Sequence, residues 1–381
     1  MQSLSVPAAR NPNGHSPAEI LAALQGIGGG RSLDFRYELY DVAGNYVRDL
    51  DNVKSCSIEQ NWLADIKRTA RFTIRDTGVI NLLTDRIKPY VRINLPPYGP
   101  DDWAEWPQGL FALQSPRRNA NESGVVTREI VAYDLLQSVA DMTVTDRYVV
   151  AAGSNYLTTI RTLLLAVPQP IAPRVPTSAA ALPSDREWPP GTPYLRIVND
   201  LLAAINYESL SYDEDGAAVV RPYQSPAARA EEYAHASDST SLIVPDVQQE
   251  LDLWAVPNQW LLIVSDPDRP MLRSVYTNND PASLTSTVRR GRVIAAEPQY
   301  VDAADQSTLD AMAARAAFEA SQIYEAVEFS TALFPIHSGN DVYRLRYGPL
   351  AINAKYIEHS WSMDLEAGAR MRHRARRVVT V

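Results

Sequence analysis

Five histidines (His15, His235, His337, His359 and His373) and one cysteine, Cys56, are the side chains here best suited to metal binding or nucleophilic chemistry. No two of the histidines stand two to four positions apart, so no local ligand pair proposes a metal site. Cys56 lies in the alternating run Val53-Lys-Ser-Cys-Ser-Ile58 and reads as a small buried hydrophobe. A single cysteine also excludes an intramolecular disulfide framework. His235 has Ser237 and Asp238 nearby, but catalytic triads are assembled from distant segments, and this stretch reads as a polar loop. The acid pairs Asp101-Asp102 and Glu231-Glu232 have no apolar neighbourhood to raise a pKa. Nucleophile-elbow, metalloprotease and Walker signatures are absent. The glycines of Gly26-Ile-Gly-Gly-Gly30 follow a helix instead of opening one, which is the wrong order for a phosphate cradle. The expectation is a chain that is not an enzyme, with no catalytic residue, metal or cofactor.

Two other groups could make contacts. In Arg370-Met-Arg-His-Arg-Ala-Arg-Arg377, the residues Arg370, Arg372, Arg374 and Arg376 share parity, so a strand places them on one face. Guanidinium groups about 7 Å apart repel one another unless acids or phosphates lie opposite. A solvated edge strand, a salt-bridged contact to an acidic neighbouring subunit and a surface touching nucleic acid all fit this pattern. The loop from Pro96 to Pro107 carries Trp103 and Trp106 beside three acids. It is either a partner-docking finger or a hairpin loop folding its aromatics onto its own domain.

The elements that must hold these groups are mostly strands. Ser16-Pro17-Ala18-Glu19 is a capping box with Pro at N1, predicting a short helix through Leu24, preceded by a polar, extended arm. From Leu33 the pattern alternates, and six short strands are expected: Leu33–Leu39, Val53–Ile58, Ala70–Ile74, Val91–Leu95, Leu110–Leu113 and Val125–Tyr133. Residues 134–210 turn helical, with Ser154 and Thr192 as expected caps, and Asp213-Glu-Asp-Gly216 reads as a hairpin turn. Strands return after about Asp246, at Trp254–Val256, Trp260–Val264, Ser274–Thr277 and Val293–Ala296. The run from Thr308 to Tyr347 is the most sharply patterned. A helix carrying Leu309, Met312, Ala316, Ala320 and Ile323 feeds the strand Val327–Thr331, a turn-rich link through Asp341 and the strand Val342–Tyr347. A hydrophobic period switching from 3.6 to 2 predicts a helix packed on an antiparallel sheet.

At 381 residues the chain is long enough for about two or three domains. A net charge of −9 argues against bulk affinity for nucleic acid, and five arginines in 370–377 leave the remainder more acidic still. No signal peptide or membrane segment is expected. The fold class is α+β, mainly β: two small antiparallel β-barrel-like domains with a helical or mixed peripheral insertion. The expected division is an N-terminal arm at 1–30, a first β domain at 31–133, a peripheral domain at 134–245 and a second β domain with one long helix at 246–381.

The order and spacing of these pieces resemble the tail-hub (baseplate-hub) proteins of long-tailed bacteriophages, which are also similar to the base of type VI secretion spikes. The resemblance runs through Tyr37-Glu-Leu-Tyr-Asp41, Ser57-Ile-Glu-Gln-Asn61, Arg68-Thr-Ala-Arg-Phe-Thr-Ile74, Asp85-Arg-Ile-Lys-Pro-Tyr-Val91 and Gly109-Leu-Phe-Ala-Leu113. It continues in Tyr148-Val-Val-Ala-Ala-Gly-Ser-Asn155, Val327–Thr331, Pro335 and Gly339-Asn-Asp-Val342, and leaves the arm at 1–30 outside. It implies a homotrimer whose two tube domains per chain make a ring of six, matching a sixfold tail tube above and a threefold tip below. The implied partners are a distal-tail or tube protein above, the tape-measure protein in the channel and tip, spike or receptor-binding proteins below. Contact with passing DNA would be transient. The place implied is the virion tail tip, assembled in the host cytoplasm. Within this setting Arg370, Arg372, Arg374 and Arg376 are expected at an intersubunit contact, and Trp103 and Trp106 at a partner interface. Two alternatives are a carbohydrate-binding or cell-wall-active tail protein stacking sugar on Trp103, Trp106 and Trp188, and a hexameric distal-tail ring protein.

Overall fold

The computed structural model describes residues 1–114, 117–120, 124–168, 170–251, 254, 256–265, 270–322 and 325–378. The helix α1 (Pro17–Leu24) starts as its sequence predicts: Ser16 Oγ accepts from the Glu19 amide at 3.3 Å, and Glu19 Oε2 accepts from the Ser16 amide at 2.7 Å. Its apolar side sinks Ile20 and Leu24 fully into the main core. The arm ahead of it is a strap, not a free extension. The Gln2 amide donates to the Ile336 carbonyl at 2.6 Å, its side chain donates to the Pro107 carbonyl at 2.9 Å, and Met1, Leu4 and Val6 pack on the core. Those few apolar side chains, with polar groups that satisfy buried carbonyls, explain why a segment of mixed composition lies down.

The first β region contains β1 (Ser32–Tyr40), β2 (Tyr46–Asp49), β3 (Val53–Asn61), β4 (Arg68–Arg75), β5 (Arg86–Asn94), β6 (Trp103–Pro107), β7 (Phe111–Leu113), β8 (Arg117–Ala120) and β9 (Val126–Asp134). They pair antiparallel in the order β3-β4-β9-β7-β5-β1-β2, with β6 added to β5 and β8 to β9. Strict alternation along β3 and β4 sends Cys56, Ile58, Ala70, Phe72 and Ile74 inward.

The helical part holds α2 (Leu136–Asp141), β10 (Tyr148–Val150), α3 (Tyr156–Ala166), β11 (Arg186–Trp188), α4 (Tyr194–Ala203), β12 (Ser211–Tyr212), β13 (Ala218–Val219) and β14 (Tyr233–Ala236). Its own core gathers Leu136, Ile160, Leu164, Ile197, Val198 and Leu201. Both expected caps shift by one residue. Asn155, not Ser154, accepts from Thr158, because its carboxamide reaches the third amide of α3; Thr192 instead donates its hydroxyl to the Pro189 carbonyl. The 212/219 hairpin forms as expected.

The remaining elements are β15 (Ile243–Leu251), β16 (Gln259–Val264), β17 (Leu272–Thr277), α5 (Thr287–Arg290), β18 (Gln299–Tyr300), α6 (Gln306–Gln322), β19 (Glu325–Ala332), β20 (Val342–Tyr347), β21 (Ile352–Asp364) and β22 (Arg370–Arg377). Ile323 lies outside the described residues, as does Ala255 of the strand expected at 254–256, and 293–296 forms no strand. The long helix does pack on an antiparallel pair, but that pair is the preceding β16–β17 hairpin and not the strands after it. Leu309 and Ala313 meet Leu262 and Val264 there. The turn-rich link 333–341 is mostly buried rather than exposed.

The two β regions form one sheet. β21 pairs with β20 along Ile352–Ile357 and then with β3 along Ser360–Asp364, while β22 lies on its other side. The strand order is therefore β15-β19-β22-β21-β3-β4 and onward, and among the described residues no barrel closes within a chain. β14, from the helical part, pairs parallel with β20, and β15 crosses the division expected at 245/246. No described helix is long and apolar enough to cross a membrane.

Candidate functional site

The fold collects three of the five scattered histidines. His235 on β14, His337 in the link before β20, Glu358 on β21 and His373 on β22 are each 2 % exposed or less. Period-two alternation places His373 inside: Met371, His373 and Ala375 face inward and Arg370, Arg372 and Arg374 outward. Glu358 sits between two imidazoles. His373 Nδ1 is 2.5 Å from Oε1, and His337 Nδ1 is 2.8 Å from Oε2 and 3.2 Å from Asp341 Oδ2. His373 Nε2 meets Thr331 Oγ1 at 2.9 Å. The His235 ring stacks on His337 at 5.4 Å and 8°, and Phe329 stacks on His373 at 4.7 Å.

Burial alone would hold all these groups neutral, and two of the histidines follow it. His235 is pushed well below the usual histidine value by burial and then by the other two imidazoles; His373 is lowered by burial despite Glu358. His337 goes the other way. Burial opposes its charge, but Glu358 and Asp341 overcome it and raise it to about 9. Glu358 is in turn held low against its burial, chiefly by the charge of His337 and with the help of hydrogen bonds from His337 and His373. His337, Glu358 and His373 offer ligand atoms that all lie within 4.8 Å of one another, so they could hold a cation. Sequence spacing missed this group because its members come from four segments. The one local signal was the inward parity of His373 among outward arginines. His235 belongs to a strand, not a loop, and Ser237 and Asp238 bond elsewhere, to Gly348 and Thr240.

The arginine face exists, but β22 is not an edge strand, since it lies between β19 and β21. Arg374 is neutralised within the chain by Glu328 at 2.7 Å, and Arg376 is half-buried, which lowers its pKa. Arg370 and Arg372 are exposed and make no ion pair among the described residues. With Arg71, Glu59, Ser57 and Asp364 they line an open trough of about 300 Å³ where β3, β4, β21 and β22 meet. A larger cleft of about 490 Å³ lies between the sheet, α6 and the helical part, lined by Trp62, Lys67, Glu208, Arg315 and His359.

The tryptophans do not gather on one surface. Trp103 is partly buried under the Arg92 guanidinium, 4.1 Å from its ring. Trp106 is 2 % exposed and donates Nε1 to the Ser3 carbonyl at 3.0 Å, so the N-terminal strap covers it. Trp188 is buried in the helical core and donates to Asp200 at 2.9 Å. Asp102, within this loop, accepts from Asn13 at 2.7 Å and from the Gly99 amide at 2.8 Å, tying the loop to the strap.

The sequence matches no protein-family model and none of the curated proteins. Its fold, however, is similar to solved structures of tail proteins along nearly their full length. The tail protein from Neisseria meningitidis MC58 superposes with a TM-score of 0.62 at 14% identity, covering 90% of this chain and 96% of that one. The 43 kDa tail protein of prophage MuSo2 from Shewanella oneidensis gives 0.56 at 10% identity, covering 90% and 98%. The prophage tail protein gp18 from Listeria monocytogenes EGD-e gives 0.56 at 13% identity, covering 90% and 94%. At these identities what is shared is the architecture: this chain has the fold of phage tail proteins.

Proposed function

We propose that this chain is a structural component of a phage tail tip, where three copies form the hub that joins a sixfold tube to a threefold tip. The observation that carries this reading is the likeness to three tail proteins across 90% of this chain and at least 94% of each of theirs. In the trimer, the β region at 31–133 and the strands of 243–251 and 325–378 supply two tube modules per chain, six in the ring. The helical part and the β16–β17–α6 unit decorate the outside. The channel passes the tape-measure protein and then DNA, with a tube protein above and tip, spike or receptor-binding proteins below.

Arg370 and Arg372 are placed at the contact between copies, since a channel lined by them would hold phosphates instead of letting them slide. Their charges, unpaired among the described residues, suit an acidic neighbour at this polar trough. Trp103, half-buried under Arg92 at the start of β6, is the aromatic left for a partner, while Trp106 is covered by the strap. Light scattering on the size-fractionated protein tests the assembly. A mass of three chains is expected; a mass of six chains would favour a distal-tail ring instead, and a monomer at every concentration would remove the hub reading.

A further inference from the structure

We propose that His235, His337, Glu358 and His373 form a closed structural site for one divalent transition-metal ion of the zinc class. The four donors come from four separate segments, yet the ligand atoms of His337, Glu358 and His373 lie within 4.8 Å of one another. Two ligands on a tetrahedral zinc ion, each about 2.0–2.1 Å away, stand about 3.4 Å apart, so closing the site brings the widest pair of these donors together by up to about 1.4 Å. His235 supplies the fourth donor. Its ring lies 5.4 Å from that of His337 and 5.6 Å from that of His373.

A second observation points the same way. Among the described residues, His235 Nε2 and His337 Nε2 are buried with no hydrogen-bond partner. Buried polar atoms are ordinarily satisfied, and two orphaned imidazole nitrogens in one cluster mark a missing binding partner. The surroundings suit a metal. Asp341 holds His337 Nδ1 at 3.2 Å, and Thr331 holds His373 Nε2 at 2.9 Å, as outer partners orient ligating imidazoles. Phe329, Phe334 and Tyr343 wall the cluster with aromatic rings. Three imidazoles and one carboxylate select zinc, cobalt, nickel or copper over magnesium or calcium. With every donor 2 % exposed or less there is no open coordination position, which makes the ion structural rather than catalytic. It would pin β14 and the 333–341 link to the C-terminal sheet. The inference stands apart from the tail-hub reading, because it concerns only side chains within one chain.

The test uses tag-free full-length protein expressed with zinc, dialysed, and assayed for metal by plasma mass spectrometry. One zinc per chain is expected, together with a fall in Tm on chelation that added Zn²⁺ restores. Replacing Zn²⁺ with Co²⁺ should give the visible absorption of a tetrahedral cobalt centre. His235→Gln and Glu358→Gln should each lose the bound metal. Should those variants fail to fold, the wild-type Co²⁺ spectrum decides. Wild-type protein without stoichiometric metal, whose Tm ignores Zn²⁺ and which gives no tetrahedral cobalt spectrum after refolding with Co²⁺, would overturn the proposal. Metal retained in full by folded variants would overturn it equally.

Discussion

Trp361 is where the union of the two β regions can be broken with one substitution. It is 2 % exposed on β21, and its backbone stands opposite Gln60 of β3 on one side and His373 of β22 on the other. Its indole Nε1 donates to the Ser338 carbonyl at 2.7 Å, so the ring also holds the buried link before β20. Trp361→Ala removes a fully packed ring, at a cost of about 3–5 kcal/mol. It also leaves the Ser338 carbonyl without that donor, adding about 1 kcal/mol. Trp361→Phe keeps most of the packing and loses the hydrogen bond, so about 1–2 kcal/mol is expected. Against a total of about 5–15 kcal/mol, the alanine variant should sit near the edge of folding. Urea unfolding followed by circular dichroism gives the loss, and amide exchange shows where it is felt. Because Trp361 belongs to the same core as Ile58, Phe72 and Ile130, exchange should speed up in β3 and β4 as well as in β21 and β22. A loss below about 1 kcal/mol, or acceleration confined to residues after 325, would refute the idea of a common core.

Other expectations follow from named groups. Burial pushes the Asp134 carboxyl from 3.8 up to about 7 despite Arg68, so the folded state holds that proton more tightly than the unfolded chain. The stability it contributes is fully present below about pH 4 and is lost as pH rises through about 7, on the order of 4 kcal/mol. Asp134→Asn should therefore flatten the stability–pH curve in that window, and an unchanged curve would contradict the assignment. Ser16→Ala removes the cap of α1 and should lower stability by about 1 kcal/mol in urea; no change would mean the capping box contributes nothing. The double variant Arg370→Glu/Arg372→Glu should weaken the assembly seen by light scattering while leaving the Tm of the single chain within a degree or two, since surface charges away from ion pairs contribute little to stability. An assembly indifferent to it would take those residues out of the interface.

The strands and α1 were legible because their signals are local. Leu33 to Leu39, the β4 run Arg68–Ile74 and the Ser16/Glu19 box each carry their period or cap within a few residues. The seam was not, because nothing in Ser57–Asn61 or Ser360–Asp364 says that they pair across 300 residues. The same distance hid the histidine cluster, whose members stand 15 to 138 positions apart. The partner of α6 was misplaced for a related reason: its apolar stripe says that it packs on a sheet, not which sheet. The strap escaped notice because a few apolar contacts and scattered hydrogen bonds at Gln2, Ser3 and Asn13 hold it, and composition does not record those. Trp106 shows the same limit, being buried by chain 100 residues away.

The most direct test of a tail-tip hub is the shape of the particle. Negative-stain electron microscopy of the purified protein, alone and mixed with its tail neighbours, should show threefold rings with a central hole. Globular single chains under both conditions, with no ring in any class average, would contradict the account.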